Sequence, residues 1–263
     1  MKRKAMFKLA LAAIGLVAVF GISQAAFAQS SGDYINNGLN FIQHGSFDNA
    51  IAEFNKAIEV NSSSDAAYFN RGLAYVKKGN ATRDTSNYDL ALADFNKVLE
   101  ISPNHPKISE VYIAIGNAYH GKGDLDAAAS EYGKAIKADP SSELAYKNRG
   151  LINYKRQKYD ESLADYNKAV ELAPEHGEVY LERGMVLMQK ADSISDDLAL
   201  ADFSKAIQLI PNDGLAYNYR AMIYYIKQDY DKSWNDVHMA QSLGFNVDEE
   251  FLKGLKEMSG KDN

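Results

Sequence analysis

The feature that most constrains this chain is that it repeats itself with a period of 34 residues. Phe54-Asn55-Lys56-Ala57-Ile58, Phe95-Asn96-Lys97-Val98-Leu99, Tyr132-Gly133-Lys134-Ala135-Ile136, Tyr166-Asn167-Lys168-Ala169-Val170 and Phe203-Ser204-Lys205-Ala206-Ile207 are five copies of one segment, and Val237-His238-Met239-Ala240 is a divergent sixth. Upstream of each copy lies a second recurring segment, marked by Gly38, Gly72, Gly116, Gly150, Gly184 and, in the last copy, Ala221. The units run 31–64, 65–105, 109–142, 143–176, 177–213 and 214–247; the second carries about seven extra residues and the fifth about three. A period in this range means a stacked array in which each unit buries its apolar face against its neighbours.

Within a unit the apolar residues fall at helical spacing in two stretches separated by turn residues. In the third unit Tyr112, Ile115, Ala118 and Tyr119 form one stripe, Gly121-Lys122-Gly123 breaks it, and Ala128, Tyr132, Ala135 and Ile136 form the next before Pro140 stops the helix. The glycine inside each first helix costs about 1 kcal/mol relative to alanine. Its recurrence at one phase predicts that another helix comes too close there for a side chain.

These residues resemble the tetratricopeptide repeat (TPR), over residues 31–247. That family places an aromatic, glycine, aromatic, alanine, aromatic and proline at positions 4, 8, 11, 20, 24 and 32. The second unit has Tyr68, Gly72, Tyr75, Ala91, Phe95 and Pro103 in those slots, and the third has Tyr112, Gly116, Tyr119, Ala128, Tyr132 and Pro140. Departures are Ser62 in a proline slot, Asn153 and Ser162 in the eleventh and twentieth slots of the fourth unit, and Ala221, Ser233 and Phe245 in the sixth. The resemblance implies an all-α fold, a right-handed α-solenoid of six helix-turn-helix units. Residues 248–263 read as a capping helix and tail, with Asp248 as the cap residue and Phe251, Leu252, Leu255 and Met258 as the apolar face. Of the 17 tyrosines, 14 occupy repeat packing slots, six of them the fourth position of every unit; Tyr154, Tyr219 and Tyr225 are left over.

A second pattern belongs to these repeats themselves. Arg71, Arg149, Arg183 and Arg220 hold the seventh position, and the same four units carry Asp94, Asp165, Asp202 and Asp236 at the twenty-third. The units without that arginine hold Asn37 or Ile115, with Glu53 or Glu131 opposite. Two antiparallel helices folded about a turn near position 15 bring these positions together, so a recurring structural Arg–Asp pair is expected. The insertion at 81–87 is expected to lengthen an inter-helix turn.

In peptide-binding members of the family, positions 2, 5, 6, 9, 12 and 13 face a concave groove. The resemblance therefore implies peptide-binding candidates in Asn36, Asn70, Asn117, Lys147, Asn148, Tyr154, Tyr219 and Tyr225, with Met185, Met188 and Met222 beside them. An asparagine amide donates and accepts, so it can pair with a peptide backbone; Ala114, Glu182 and Tyr219 interrupt the asparagine series at the sixth position. The carboxylate-clamping mode of the family does not fit, because its first Lys/Asn pair would fall on Ile35/Leu39, Phe69/Leu73, Ile113/Asn117 or Lys147/Leu151.

Other chemistry finds no footing. The chain has no cysteine, which removes thiolate metal sites, disulfides and a cysteine nucleophile. His44, His105, His120, His176 and His238 lie in different units without ligand spacing, and neither a phosphate loop nor a nucleophile elbow occurs. Asp192, Asp196 and Asp197 lack the spacing of a calcium loop. The expectation is a non-enzymatic scaffold without cofactor or metal, binding a protein or peptide; the alternative is a structural subunit of an envelope assembly that oligomerises through its ends or convex face.

Residues 1–28 combine a basic start (Lys2, Arg3, Lys4, Lys8), an apolar run from Leu9 to Phe20 and an Ala26-Phe27-Ala28 ending, the order of a secretory signal peptide. Its removal strips four positive and no negative charges, taking the net charge from −6 to −10. Such a surface disfavours a nucleic-acid partner, whose phosphates demand Lys and Arg. The expected location is periplasmic or secreted, with no membrane insertion after cleavage. Mass spectrometry of the protein from its native host should find an N-terminus at Gln29; retained Met1 would contradict export with cleavage.

Overall fold

The computed structural model describes residues 29–190 and 193–261; the expected signal segment lies outside them. Among the described residues there are thirteen helices and no strand. They are α1 (Ser31–Gln43), α2 (Phe47–Val60), α3 (Asp65–Thr82), α4 (Ser86–Ile101), α5 (Ile108–Lys122), α6 (Leu125–Ala138), α7 (Glu143–Lys155), α8 (Tyr159–Leu172), α9 (Gly177–Met188), α10 (Ser193–Leu209), α11 (Gly214–Ile226), α12 (Tyr230–Ser242) and α13 (Glu249–Ser259). Each odd-numbered helix from α1 to α11 packs most extensively on the helix that follows it. The contacts divide into two compact units at Pro103, the first holding two hairpins and the second four hairpins and α13. None of the described helices is long and apolar enough to cross a membrane.

Local signals set these boundaries. Ser64, Asp124, Ser142, Asp229 and Asp248 each accept a hydrogen bond from a backbone N–H in the first turn of the helix they precede, satisfying donors that would otherwise be orphaned. At position 15 the chain reverses through left-handed backbone: φ is +69° at Gly45, +84° at Gly123, +58° at Gln157 and +61° at Gln228.

The glycine at position 8 behaves as its recurrence predicted. A Cβ on Gly38, Gly72, Gly116 or Gly184 would fall 2.5–2.6 Å from the ring at position 24 of the following helix, from Phe54, Phe95, Tyr132 and Phe203 respectively. At Gly150 the approach to Tyr166 is looser, 3.2 Å. The sixth repeat carries Ala221 because its partner there is Val237; both are fully buried in one cluster with Trp234. A larger residue on one helix is matched by a smaller one on the other. The serines in the alanine slot are equally accommodated: Ser162 Oγ donates to the Gly150 carbonyl and Ser233 Oγ to that of Ala221, each at 2.8 Å, which satisfies a buried hydroxyl.

All four expected Arg–Asp pairs form. Arg71, Arg183 and Arg220 grip Asp94, Asp202 and Asp236 through two nitrogens at 2.6–2.8 Å, and Arg149 holds Asp165 at 2.6–3.2 Å. Asn153 donates to Asp165 as well, which accounts for its place in an aromatic slot. In the first repeat Asn37 bonds Glu53 instead, at 3.3 Å. The four aspartates are buried, and burial pushes the Asp94 and Asp202 carboxyls up against the pull of their arginines. Much of the Coulombic gain is thus offset by desolvation, and the pair chiefly fixes geometry.

Each arginine also lies over the tyrosine at position 4 of its repeat, 5.4–5.8 Å from the ring centre. In the two repeats without the arginine, Lys56 and Lys134 cover Tyr34 and Tyr112 at 5.7 and 5.8 Å. Every repeat therefore keeps a cation on that ring although its source changes.

Two features were not foreseen. A basic residue at position 14 reaches back to an aspartate at position 18 of the preceding repeat, thirty residues earlier: Lys78 to Asp48, Arg156 to Asp126, Lys190 to Asp160 and Lys227 to Asp197. Lys261 does the same to Asp231, so α13 follows the register of another first helix, with Phe251 in the aromatic slot and fully buried Leu255 in the glycine slot. The Trp234 indole N–H donates to Ser259 Oγ at 3.0 Å and fastens its end.

The insertion at 81–87 corrects one expectation. It adds a turn to α3, which has 18 residues against 13 in α1, before the left-handed residue Arg83. The rest extends the start of α4, where Asn87 and Tyr88 are buried and a Cβ on Gly79 would meet the Tyr88 ring at 3.0 Å. Extra residues become helix because they bring their own close contact.

Gly116→Ala should cost about 1–3 kcal/mol by overpacking, whereas Gly150→Ala, with looser contact and a helix-propensity gain of about 1 kcal/mol, should be near neutral; urea denaturation ranks them, and equal losses would refute the close-approach argument. A double-mutant cycle of Arg183→Ala with Asp202→Ala should give a coupling of about 1–3 kcal/mol; coupling below about 0.3 kcal/mol would show that the pair holds nothing.

Candidate functional site

The first helices carry the residues that hairpin packing leaves unused. In the first compact unit, Asn36 is exposed on α1, and the Asn70 amide donates to the Ala66 carbonyl of its own helix at 2.8 Å. In the second unit, two expected residues meet: Asn148 Nδ2 on α7 donates to Asn117 Oδ1 on α5 at 3.2 Å. The same Asn117 oxygen accepts the Tyr132 hydroxyl at 2.6 Å, so a core aromatic orients it from behind. Lys147 Nζ reaches Glu178 on α9 at 3.3 Å.

The three tyrosines outside the packing slots are half-buried. Tyr154 packs against Tyr159 at 6.0 Å between ring centres, and Tyr219 stacks on Phe203 at 5.5 Å with 13° between the planes. Tyr225 meets Tyr230 at 6.0 Å and Phe251 edge-on at 5.6 Å, so it also helps seat α13. Met185 and Met188 pack beside Tyr219 against the Phe203 cluster.

Glu182 was visible in the sequence only as an interruption of the asparagine series. It takes the sixth position on α9, and its Oε2 atom is buried without a hydrogen-bond partner. The Tyr166 hydroxyl adjoins its carboxyl; burial is the main cause that pushes the group up to about 6, against the pull of Lys147. Glu143 Oε1 on α7 and Asn218 Oδ1 on α11 are likewise buried and unpaired. A recess of about 390 Å³ beside Glu143, Lys147 and Glu178 has Val179 and Ile210 in its wall. A sequence signal for this region existed in hindsight: only the third and fourth repeats place tyrosine rather than phenylalanine or valine at position 24, and those two hydroxyls reach Asn117 and Glu182.

Among the described residues no group of three or more His, Asp or Glu could hold a metal ion. His120 accepts Lys155 Nζ at 2.6 Å, and burial, aided by that lysine, lowers its pKa. Asp197 pairs with Lys227 at 2.6 Å, while Asp192 lies outside the described residues.

Three family models match the chain: one described as TPR repeat over residues 38–79, and two described as tetratricopeptide repeat over 70–141 and 113–190. Curated proteins provide no match. Among solved structures, pilF of Pseudomonas aeruginosa is similar at a TM-score of 0.68 and 16% identity, covering 88% of this chain and 96% of that one. A tetratricopeptide repeat protein from Parabacteroides merdae gives 0.59 at 20% identity, with 88% and 84% covered. YrrB, described as a TPR protein with an unusual peptide-binding site, gives 0.54 at 22% identity, with 75% and 95% covered. At these identities the likeness speaks for the fold, an all-α helical-repeat solenoid. With the repeat register, the glycine–aromatic contacts and the three matching models in agreement, the chain belongs to the tetratricopeptide repeat family.

Proposed function

We propose that the protein is a non-enzymatic, exported scaffold that binds a peptide or protein segment on the groove face of its first helices. A TPR fold supports protein–protein interaction as the general role. The observation that carries the finer reading is the Asn117–Asn148 contact of the second unit: two amides from successive first helices lie side by side and half-exposed to exposed, and one is held by a buried tyrosine. Orienting the amide from the core lowers the entropy lost when it engages a peptide backbone. The peptide-binding site named for YrrB is in keeping with this use of the fold. Export rests on the basic–apolar–small pattern of residues 1–28.

Assembly through the C-terminal end is the weaker reading. That end is covered by α13, whose exposed residues include Glu250, Lys253 and Glu257 together with Met258, which is 57% exposed rather than on the packed face with Phe251, Leu252 and Leu255. Exposed charges next to one another favour solvent over a second apolar surface.

The test is site-specific photo-crosslinking in the native host. A crosslinker replacing Asn148 should capture a partner that the same crosslinker at exposed Glu171 on α8 does not, and Asn117→Ala should lower the yield several-fold. Equal capture at both positions, or none at Asn148, would overturn groove binding.

A further inference from the structure

In the second compact unit, α5 and α7 are joined at groove positions by two side-chain contacts. One is the Asn148–Asn117 amide pair, at positions 6 and 9. In the other, Lys155 Nζ donates to His120 Nε2 at 2.6 Å, from position 13 to position 12. The second contact is of an unusual kind for this chain. Lysines that reach from one repeat to another elsewhere end on carboxylates, as Lys147 does on Glu178 and Lys190 on Asp160. Lys155 ends on an imidazole, and among the described residues it has no carboxylate partner.

An imidazole can hold an ammonium but cannot balance its charge. Burial, aided by the lysine itself, holds the His120 pKa down, so the ring is neutral at pH 7 and accepts through Nε2; Lys155 is the charge that acts on it. The ammonium has three donors. His120 takes one and thereby sets the direction of the side chain, while the other two and the whole positive charge stay open, for Lys155 is exposed. Its place in the last turn of α7 favours a cation there, yet a contact with the helix dipole needs no partner on α5, thirty-five residues away. Orienting a long side chain costs rotamer freedom, and an oriented, unbalanced cation facing outward calls for an anion from outside the chain. Access is open: Asn117 and Lys155 are exposed, and Asn148 and His120 are half-buried. The charge on offer is single, and the neighbouring guanidinium of Arg156 is taken by Asp126. That suits a carboxylate rather than a phosphate, which draws on forked donors and more than one positive charge.

We infer that Lys155, oriented by His120, is a specificity-determining residue of the proposed groove and selects a partner segment that presents an aspartate or glutamate side chain. The inference rests on the groove reading and gives it a chemistry: Asn117 and Asn148 hold the backbone, and Lys155 reads one acidic residue. His120 lies three residues beyond Asn117 and Lys155 seven beyond Asn148, roughly 5–10 Å along the helices, which an extended segment covers in about two or three residues. The first Lys/Asn pair of the family's carboxylate clamp falls at positions 5 and 9, so positions 12 and 13 make a separate site.

Oriented libraries of immobilised degenerate decapeptides, each with one central residue fixed as Glu, Gln or phosphoserine, test it with the purified protein. The Glu library should retain wild type at least about fivefold better than the Gln library, which keeps the shape of glutamate without its charge. Lys155→Met should bring that ratio close to one with an unchanged circular dichroism spectrum, whereas Lys158→Met, at an exposed lysine between α7 and α8, should preserve it. Equal retention of the Glu and Gln libraries by wild type, stronger retention by phosphoserine than by Glu, an undiminished ratio in Lys155→Met, or an equal loss in Lys158→Met would overturn the assignment. If peptides are retained without acidic preference and Asn148→Ala releases them, this inference fails while groove binding stands; if no library is retained, both fail.

Discussion

Everything in this molecule depends on how closely the two helices of a repeat approach each other. The aromatic ring at position 24 occupies the space where a Cβ at position 8 would be, so the glycine sets the distance and the ring fills it. Because the second helix then lies against the first along its length, positions 7 and 23 face one another and can pair. The position-4 tyrosine is brought under the same cation. The buried ion pair would be a poor bargain in isolation; at this fixed spacing it rejects sliding of one helix along the other, because a shift would strand a desolvated carboxylate.

How the repeats tolerate departures follows from the same contact. Ala221 is matched by Val237 in place of a larger ring, both fully buried in one cluster with Trp234, and the serines of the fourth and sixth repeats return their hydroxyls to a carbonyl of the facing helix. The substitution of Asn153 for an aromatic is compensated through Asp165. Ala221, Ser162, Ser233 and Asn153, departures from the repeat pattern, are each locally satisfied once the facing residue is considered.

The two-helix repeat and the Arg–Asp pairs were legible in the sequence because each depends on residues at fixed offsets within one repeat. The thirty-residue ion pairs were equally periodic, in Lys78, Arg156, Lys190 and Lys227 against their aspartates, but they join one repeat to the next and are missed when repeats are read singly. The insertion was misjudged because length alone cannot say whether extra residues make loop or helix; the Gly79–Tyr88 contact decides it. At the candidate site, the groove positions implied by the family resemblance singled out Asn117, Asn148 and Lys147, while Glu182 entered only as an interruption of the asparagine series. Its interest lies in an unpaired oxygen, a property of burial that no spacing reveals.

The ion pairs between successive repeats differ from the buried ones in being wet: Asp126 and Asp160 are more than four-fifths exposed. Each of those aspartates also sits in the first turn of its helix, where the dipole favours it. The four Arg–Asp pairs within hairpins are thus largely dry, while the ion pairs between hairpins are exposed and screened over about 8 Å at physiological salt. Apolar clusters such as Tyr166, Ala169, Val179 and Val186 join one hairpin to the next beneath those pairs. Added salt should therefore weaken the ion-paired part of the contact between successive hairpins while leaving the Arg–Asp pairs inside them in place.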